Sequence, residues 1–254
     1  MYNLFKKKWF KFTYRDWLGY FQRNDKRRLV IDFSEEPELK FKAKDLIFPS
    51  IMAFQKGEHS EGYRFTDMAK KFAKDRKEPC YADAITLFIR EENFHSAYLA
   101  EYMNYYGIKK ATENSLDNAF RSMRHSGGLF GEVSILVTAE IIALTYYTAL
   151  GNVAVKIGSP ALKQICNQML HDELPHIVFQ SYTLSHYPDN IGTRLFRKIV
   201  MEGTTVFVYA SYGNVIKKGG YSYRRFRKEN LGYLGQSVRM VKIMKNGFEK
   251  DAEI

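Results

Sequence analysis

The sequence predicts an all-α protein, namely a four-helix bundle with additional helices at its N- and C-terminal ends. In four central segments, apolar residues recur at steps of three and four, which is the spacing of one helix face. Acidic residues interrupt each of these apolar faces. The chain of 254 residues, 45% of them hydrophobic, is long enough for one large core and too apolar to be disordered.

The first predicted helix covers residues 51–72. One stripe of alternating four- and three-residue steps runs along it: Phe54, Glu58, Glu61, Phe65, Met68 and Phe72. The second predicted helix follows the breaker run "KDRKEPCYAD", with Asp83 as its N-cap. Its inward face consists of Phe88, Glu92, His95, Leu99 and Met103. Both helices therefore place ionisable side chains on the side that faces the core.

The third predicted helix, "VSILVTAEIIALTYYTAL" over residues 133–150, contains Glu140 as its only charge. Its 18 residues reach the lower end of the length of a membrane span. A carboxylate near the middle of a lipid-facing helix costs about 2.5–3.5 kcal/mol, which favours a central helix of a bundle. The protein is therefore predicted not to be transmembrane.

The fourth predicted helix begins after a turn over residues 151–158, with Ser159 as its N-cap and Pro160 at its first position. Its inward face consists of Leu162, Cys166, Met169, Glu173, His176 and Gln180. Pro175 lies within this helix and costs about 3 kcal/mol in regular helical geometry. We interpret it as the site of a local widening, such as a π-bulge. The alternative is that the helix ends at this proline.

The buried acids predict a metal site. Several ionised carboxylates in one core repel one another and take up protons unless a positive charge lies between them. In "ENFH" and "ELPH" a glutamate precedes a histidine by three residues, so one helix directs both side chains to the same centre. Carboxylate oxygen and imidazole nitrogen together suit iron or manganese.

The spacing of two further glutamates strengthens this prediction. Glu58 precedes Glu92 by 34 residues, and Glu140 precedes Glu173 by 33. Antiparallel helices that rise about 1.5 Å per residue bring positions at matched distances from their turn to the same level. Both helical hairpins therefore deliver a glutamate and a Glu-x-x-His motif at one height in the bundle.

This pattern resembles that of the ferritin-like di-iron carboxylate superfamily, which includes rubrerythrins, the ribonucleotide reductase small subunit and bacterial multicomponent monooxygenases. The resemblance covers residues 51–182 and implies a ferritin-like four-helix bundle that holds two iron ions or a mixed Mn/Fe pair. The metal ligands that it implies are Glu58, Glu92, His95, Glu140, Glu173 and His176. It further implies that Glu92 and Glu173 bridge the metals and that each metal has one histidine.

The first helix offers two candidate ligands. "GEHSEGYRF" resembles the first-helix pattern of rubrerythrins with Glu58 in the ligand position. The 34-residue separation of Glu58 from Glu92 also matches 33 better than the 31 residues that separate Glu61 from Glu92. Glu61 is then an alternative ligand, a neighbour that supports the ligands, or a carboxylate that shifts onto the metal.

The resemblance implies a dioxygen-activating oxidoreductase of oxidase or oxygenase type, whose small-molecule or lipid substrate the sequence does not name. Such an enzyme also implies an electron-donor protein as a partner. A ferroxidase or iron-storage protein is one alternative, and a protein that binds anionic surfaces and has a structural metal site is another. We prefer the enzyme because the long added ends favour a covered pocket. Tyr98 and Tyr147 lie on ligand-bearing helices and are candidate redox-active tyrosines, with core packing as the alternative that we favour.

The net charge of +11 is concentrated at the ends. Residues 1–30 hold nine Lys/Arg against two Asp, and residues 217–250 hold ten against two Glu. Aromatic residues alternate with these cations, which suits weak binding to an anionic membrane or to nucleic acid; solvated basic faces packed on the bundle are the alternative.

We divide the chain into a basic N-terminal helical extension (1–45), the di-metal bundle (46–185) and a C-terminal helix with a basic tail (186–254). A fifth helix is predicted over residues 191–212. The two cysteines are too few for a disulfide framework, and the N-terminus has no signal-like apolar run. Both observations favour a cytoplasmic location.

Overall fold

A computed structural model describes residues 1–6, 8–59, 62–110 and 128–251 of the chain. These residues form eight α-helices and no strand, which confirms the all-α prediction. Two short 3-10 helices, Leu4–Lys6 and Lys8–Lys11, precede the first α-helix. The α-helices are α1 (Tyr14–Asn24), α2 (Phe41–Glu58), α3 (Tyr63–Arg76), α4 (Cys80–Tyr105), α5 (Gly128–Ile157), α6 (Pro160–Ser185), α7 (Ile191–Lys218) and α8 (Tyr223–Asp251).

The bundle consists of α4, α5, α6 and the consecutive pair α2 and α3. α5 and α6 form the most extensive helix pair, and α2 and α3 both pack against α4. α5 is long and apolar enough to cross a membrane, with a mean hydropathy of 1.6 in its most apolar 18-residue window, but 78% of that window is buried inside the protein. It is mostly buried in the bundle, as the single acid of its predicted segment, residues 133–150, led us to expect.

The prediction of a single first helix is wrong, because α2 ends at Glu58 and a separate helix, α3, begins at Tyr63. Gly62 adopts a left-handed conformation with φ 69° just before α3. A Cβ atom on this glycine would lie 2.7 Å from the Ile89 side chain, so both its backbone angle and its surroundings require glycine. The N-cap prediction for α4 is also wrong, since Pro79 takes that position and Asp83 lies in the first turn.

The structure also corrects the fourth helix and the turn before it. α5 continues to Ile157, so the turn contains only Gly158, with φ 72°, and Ser159. The Ser159 hydroxyl accepts a hydrogen bond from the Leu162 amide, which confirms the predicted N-cap. α6 continues as a regular α-helix past Pro175, so the alternative of a helix end is wrong and the predicted π-bulge is not observed.

The two ends of the chain pack on the bundle. α1 lies against α4, while α7 packs on α5 and α8 on α6. The predicted fifth helix is present as α7, which extends to Lys218 and is kinked at Tyr212. The Tyr2 amide donates to the Tyr233 hydroxyl at 2.8 Å, and the Leu4 amide donates to Gln236 Oε1 at 2.8 Å. The basic N-terminus and the basic α8 therefore lie side by side.

We expect Gly219→Ala to destabilise the protein. A Cβ atom at this position would lie 2.3 Å from the Ala149 carbonyl oxygen, where α7 ends against α5. Because the clash is with backbone, relief requires a helix shift that costs about 1–3 kcal/mol or more. Chemical denaturation measures the loss. Gly235→Ala is the matched control, since a Cβ there meets open space and should leave stability unchanged or raise it slightly.

Candidate metal centre

Four helices deliver the six predicted ligands to one region of the core. α4 carries Glu92 and His95 one turn apart, and α6 carries Glu173 and His176 in the same arrangement. Glu140 comes from the middle of α5, and Glu58 is the last residue of α2. They form two groups, namely Glu92, Glu140, Glu173 and His176, and Glu58, His95 and Glu173. Within each group, one potential ligand atom of every residue lies within 4.8 Å of the others.

Glu173 belongs to both groups and has the geometry of a bridge. Its Oε1 lies 3.6 Å from His95 Nδ1, and its Oε2 lies 3.5 Å from His176 Nδ1. Glu92 Oε1 lies 2.9 Å from His176 Nδ1 and 3.8 Å from His95 Nδ1, so it also stands between the histidines. The two glutamates are therefore placed as the resemblance implies, although their role as ligands stays a prediction.

Several buried polar atoms of this cluster have no hydrogen-bond partner within the described residues, as is expected of atoms that bind metal ions. They are Glu92 Oε1, His95 Nδ1, both Glu173 carboxylate oxygens and both His176 ring nitrogens. Such atoms are costly to bury unless something satisfies them. A cation within each group would do so, and the four carboxylates would balance two divalent ions. The cluster can therefore hold two metal ions.

The pKa values reflect the crowding of charge in the cluster. Burial, followed by the charge of Glu92, raises the pKa of Glu58 well above its usual value. Burial and the charge of Glu140 do the same to the pKa of Glu173. Burial alone would lower the pKa of His95, but the hydrogen bond to Asp172 and the nearby carboxylates raise it to about 9. Without metal, Glu58, Glu173 and His95 therefore favour their protonated forms.

Each histidine is supported by an acid from the other hairpin. His95 Nε2–H donates to Asp172 Oδ2 at 3.1 Å, and His176 Nε2 lies 3.6 Å from Glu91 Oε2. Each acid immediately precedes a Glu-x-x-His motif, as "EENFH" and "DELPH" show. These contacts turn both Nδ1 atoms toward the cluster. Glu91 and Asp172 were not identified from the sequence as supporting residues, although an acid directly before each Glu-x-x-His motif is a pattern that could have indicated them.

Two more side chains position predicted ligands. The Tyr147 hydroxyl donates to Glu58 Oε1 at 2.7 Å, and Gln180 Nε2 donates to Glu140 Oε1 at 2.7 Å. The structure thus places one candidate tyrosine at the cluster. The other, Tyr98, instead accepts a hydrogen bond from the Leu29 amide at 3.1 Å. Glu61 lies outside the described residues, so its candidacy stays a prediction.

The N-terminal helix α1 covers the histidine side of the cluster. Asn24 Nδ2 donates to Glu91 Oε1 at 2.9 Å, and the Phe21 ring lies 6.0 Å from that of His176. A cavity of about 230 Å³ opens beside these residues and is lined in part by His95 and Asp172. Sequence reasoning missed the part that α1 plays, because no local signal connects it to the metal motifs.

The fold and the site together define a ferritin-like bundle with a carboxylate–histidine cluster for two metals. The chain is similar over nearly its whole length to solved structures of R2-like ligand-binding oxidases. A single-residue variant with aerobically reconstituted Mn/Fe cofactor has a TM-score of 0.71 and 15% identity, covering 92% of this chain and 98% of that one. Another variant, anaerobically reconstituted with Mn/Fe, has a TM-score of 0.67 and 14% identity, covering 91% and 94%.

A third similar structure is an R2-like ligand-binding oxidase with aerobically reconstituted Mn/Fe cofactor, described as a long soak. It has a TM-score of 0.66 and 16% identity, and the match covers 91% of this chain and 93% of that one. At these identities the similarity concerns the fold, and it confirms the ferritin-like architecture. A scan against models of protein families and a search of curated proteins found no match.

We expect Asp172→Asn to weaken metal binding about 10- to 100-fold, because the His95 ring loses its anionic support. Competition with a chromophoric chelator measures the affinity. Asp67→Asn on the exposed surface of α3 is the control and should bind metal like the wild type. An unchanged affinity in Asp172→Asn would mean that packing alone orients His95.

Proposed function

We propose that this protein is a dioxygen-activating di-metal oxidoreductase of oxidase or oxygenase type. The observation that carries the proposal is the convergence of six side chains, four of which have unpartnered ligand atoms, on two positions that share Glu173. When bound, a pair of iron ions or a mixed Mn/Fe pair would supply the electrons for dioxygen reduction. The Mn/Fe cofactors named for the similar structures support the mixed pair as the alternative to two irons.

The residues of the chain prepare the site for such chemistry in three ways. Asp172 and Glu91 hold the histidine rings, and Gln180 holds Glu140. The Tyr147 hydroxyl oxygen lies 2.7 Å from Glu58 Oε1 and holds its proton toward that carboxylate, at the edge of the metal positions. Fully buried aliphatic side chains of α5 exclude water beside Glu140: Val137, Ile141 and Leu144. A dry wall of this kind protects a reactive oxidant from solvent.

Glu58 differs from the other ligands because it ends its helix. The chain leaves helical geometry at His59, so the Glu58 side chain can move without unwinding a turn. Its carboxylate accepts a hydrogen bond from Tyr147. We therefore propose that Glu58 is the ligand whose carboxylate would change position when the coordination of the metals changes.

The proposal includes further partners of the reaction. An oxidase or oxygenase cycle needs a reductant, which we take to be an electron-donor protein, and an organic substrate that is a small molecule or a lipid. The name of the similar structures, ligand-binding oxidases, agrees with a small-molecule ligand. Cys80 and Cys166 are both free thiols, in keeping with a cytoplasmic location.

Stepwise loading with metal tests the proposal. Metal-free protein receives increasing ferrous iron, or equal amounts of iron and manganese, without oxygen and is then exposed to air. We expect about two ions per chain to be retained and a single burst of dioxygen consumption that stops until a reductant is added. Accumulation of many irons per chain would instead identify a storage protein. Two bound ions with no dioxygen consumption would identify a structural metal site.

A further inference from the structure

The outer face of α7 carries exposed apolar side chains, which we call the apolar stripe. Its members are Ile191, Leu195, Ile199 and Val206, whose exposed fractions are 84%, 53%, 62% and 52%. Their separations of four, four and seven residues place them on one side of the helix. Ile191, Leu195 and Ile199 follow one another at one-turn intervals, and clustered exposed apolar residues of this kind indicate an interaction surface more strongly than scattered ones do.

The helix that carries this stripe and the helix next to it are rich in positive charge. Residues 191–246, which span α7 and most of α8, hold twelve Lys/Arg against two Glu, so this hairpin is strongly basic. Of the two acids, Glu202 is paired with Arg227 and Glu229 with Arg225. The uncompensated charge is therefore available to an anionic partner.

Contacts between the two helices hold α8 beside the helix that carries the stripe. Arg227 of α8 pairs with Glu202 of α7, which lies between Ile199 and Val206 in the sequence. Arg197 donates to Ser237, and Asn230 donates to Thr205, so the helices run antiparallel in a fixed register. The neighbouring helix α8 exposes further cations: Arg224, Lys228, Arg239 and Lys242.

The N-terminal segment extends the same surface on the other side of α8. The hydrogen bonds of Tyr2 and Leu4 to α8 hold it there, and the Arg239 guanidinium lies 5.6 Å from the centre of the Phe5 ring. Lys6 and Lys8 are exposed in this segment. The two basic ends of the sequence therefore form one continuous positive surface with the apolar stripe at its edge.

We propose that this surface, which we call the α7–α8 face, binds the surface of an anionic phospholipid bilayer. The stripe would enter the boundary between headgroups and acyl chains, and the neighbouring lysines and arginines would contact the lipid phosphates. The combination of aliphatic and cationic side chains carries this choice of partner. None of the six predicted metal ligands lies on α7 or α8, so the inference does not depend on the proposed function.

Two other partners fit the α7–α8 face less well. A second copy of the chain that used the same face would bring two strongly positive surfaces together, which Coulomb repulsion opposes. Nucleic acid would satisfy the cations, but it would leave the aliphatic stripe in water, because base recognition by stacking requires aromatic or guanidinium groups. Lipid is the partner that covers both kinds of side chain.

Vesicle flotation with the full-length, metal-loaded protein tests the inference. We expect binding to vesicles of equal parts phosphatidylcholine and phosphatidylglycerol, weaker binding as salt rises, and little binding to phosphatidylcholine alone. The double variant Leu195→Gln/Ile199→Gln should bind about tenfold more weakly or worse. The double variant Arg224→Gln/Lys242→Gln should lose about fivefold for each cation removed.

Matched controls replace the same residue types elsewhere on the surface. Val155→Gln removes an aliphatic side chain that is 65% exposed on α5, and Lys74→Gln/Lys109→Gln removes two exposed cations. Both controls should bind vesicles like the wild type. All variants should keep their helicity and melting temperature, because every altered side chain is exposed.

Three results would overturn the inference. The first is vesicle binding that the Leu195→Gln/Ile199→Gln variant leaves unchanged. The second is binding to double-stranded DNA, without vesicle binding, that the same variant leaves unchanged. The third is a dimer in sedimentation that depends on the stripe, again without vesicle binding.

Discussion

Glu173→Gln is expected to abolish binding at both metal positions. This residue alone belongs to both groups of ligand atoms, with one oxygen facing each histidine. A carboxamide lacks the negative charge and the second oxygen that a bridge requires. Elemental analysis after gel filtration should therefore find almost no iron or manganese in the variant, compared with about two ions per chain in the wild type.

Variants of the other ligands provide the comparison. Glu140→Gln and Glu58→Gln each alter one group and should leave about one ion bound. Glu61→Gln should have a smaller effect than Glu58→Gln; the reverse order would make Glu61 the first-helix ligand. Glu101→Gln, on the exposed side of α4, is the control. Retention of two ions by Glu173→Gln would refute the shared-bridge arrangement.

The metal-free and metal-loaded proteins are expected to respond to pH in opposite directions. Without metal, the folded state holds protons on Glu58, Glu173 and His95 at pH values where the unfolded chain has released them. For His95 this range extends from 6.5 to about 9. Because the folded state binds more protons there, its stability falls as the pH rises.

The size of the effect follows from the same shifts. The displacement of the His95 pKa alone corresponds to about 3 kcal/mol, at about 1.4 kcal/mol per pH unit. The pKa values of Asp172 and Glu140 are lowered, so these groups act only at more acidic pH. In the loaded protein, protons compete with the metals for the same atoms, and loading therefore becomes more favourable as the pH rises.

Thermal denaturation of both forms at about pH 6 and about pH 9 measures the two slopes. The metal-free protein should melt at a lower temperature at the higher pH, and the loaded protein should not. The His95→Gln variant should show a smaller slope in its metal-free form, because it lacks one of the titrating groups. Equal slopes for the metal-free and loaded wild type would show that the metals do not bind at these residues.

Hydrophobic periodicity predicted the ligand-bearing helices because the ligands occupy positions that the core would otherwise fill. It failed at the break between α2 and α3 for a related reason. Phe54, Glu58 and Phe65 are separated by four and seven residues, which is the spacing of one continuous helix. Spacing alone therefore cannot distinguish one helix from two consecutive helices. The left-handed backbone of Gly62 against Ile89 depends on packing with α4, which no local pattern encodes.

The remaining features depend on contacts between distant parts of the chain. Asn24 reaches Glu91 across 67 residues of sequence, so composition could not reveal that α1 supports the cluster. On α7, Arg197 is buried against Ser237 while Ile199 is largely exposed. This is the reverse of what hydrophobicity alone predicts. Which side of α7 meets solvent is decided by its docking on α5 and α8.

The crossed support of the two histidines makes the halves of the bundle interdependent. Asp172 of the second hairpin orients His95 of the first, and Glu91 of the first faces His176 of the second. Neither hairpin by itself contains a histidine that its own acid prepares. A half-bundle would consequently present flexible rings with misdirected lone pairs, and metal affinity would emerge only when the halves join. Full metal affinity would therefore report that the two hairpins have paired correctly.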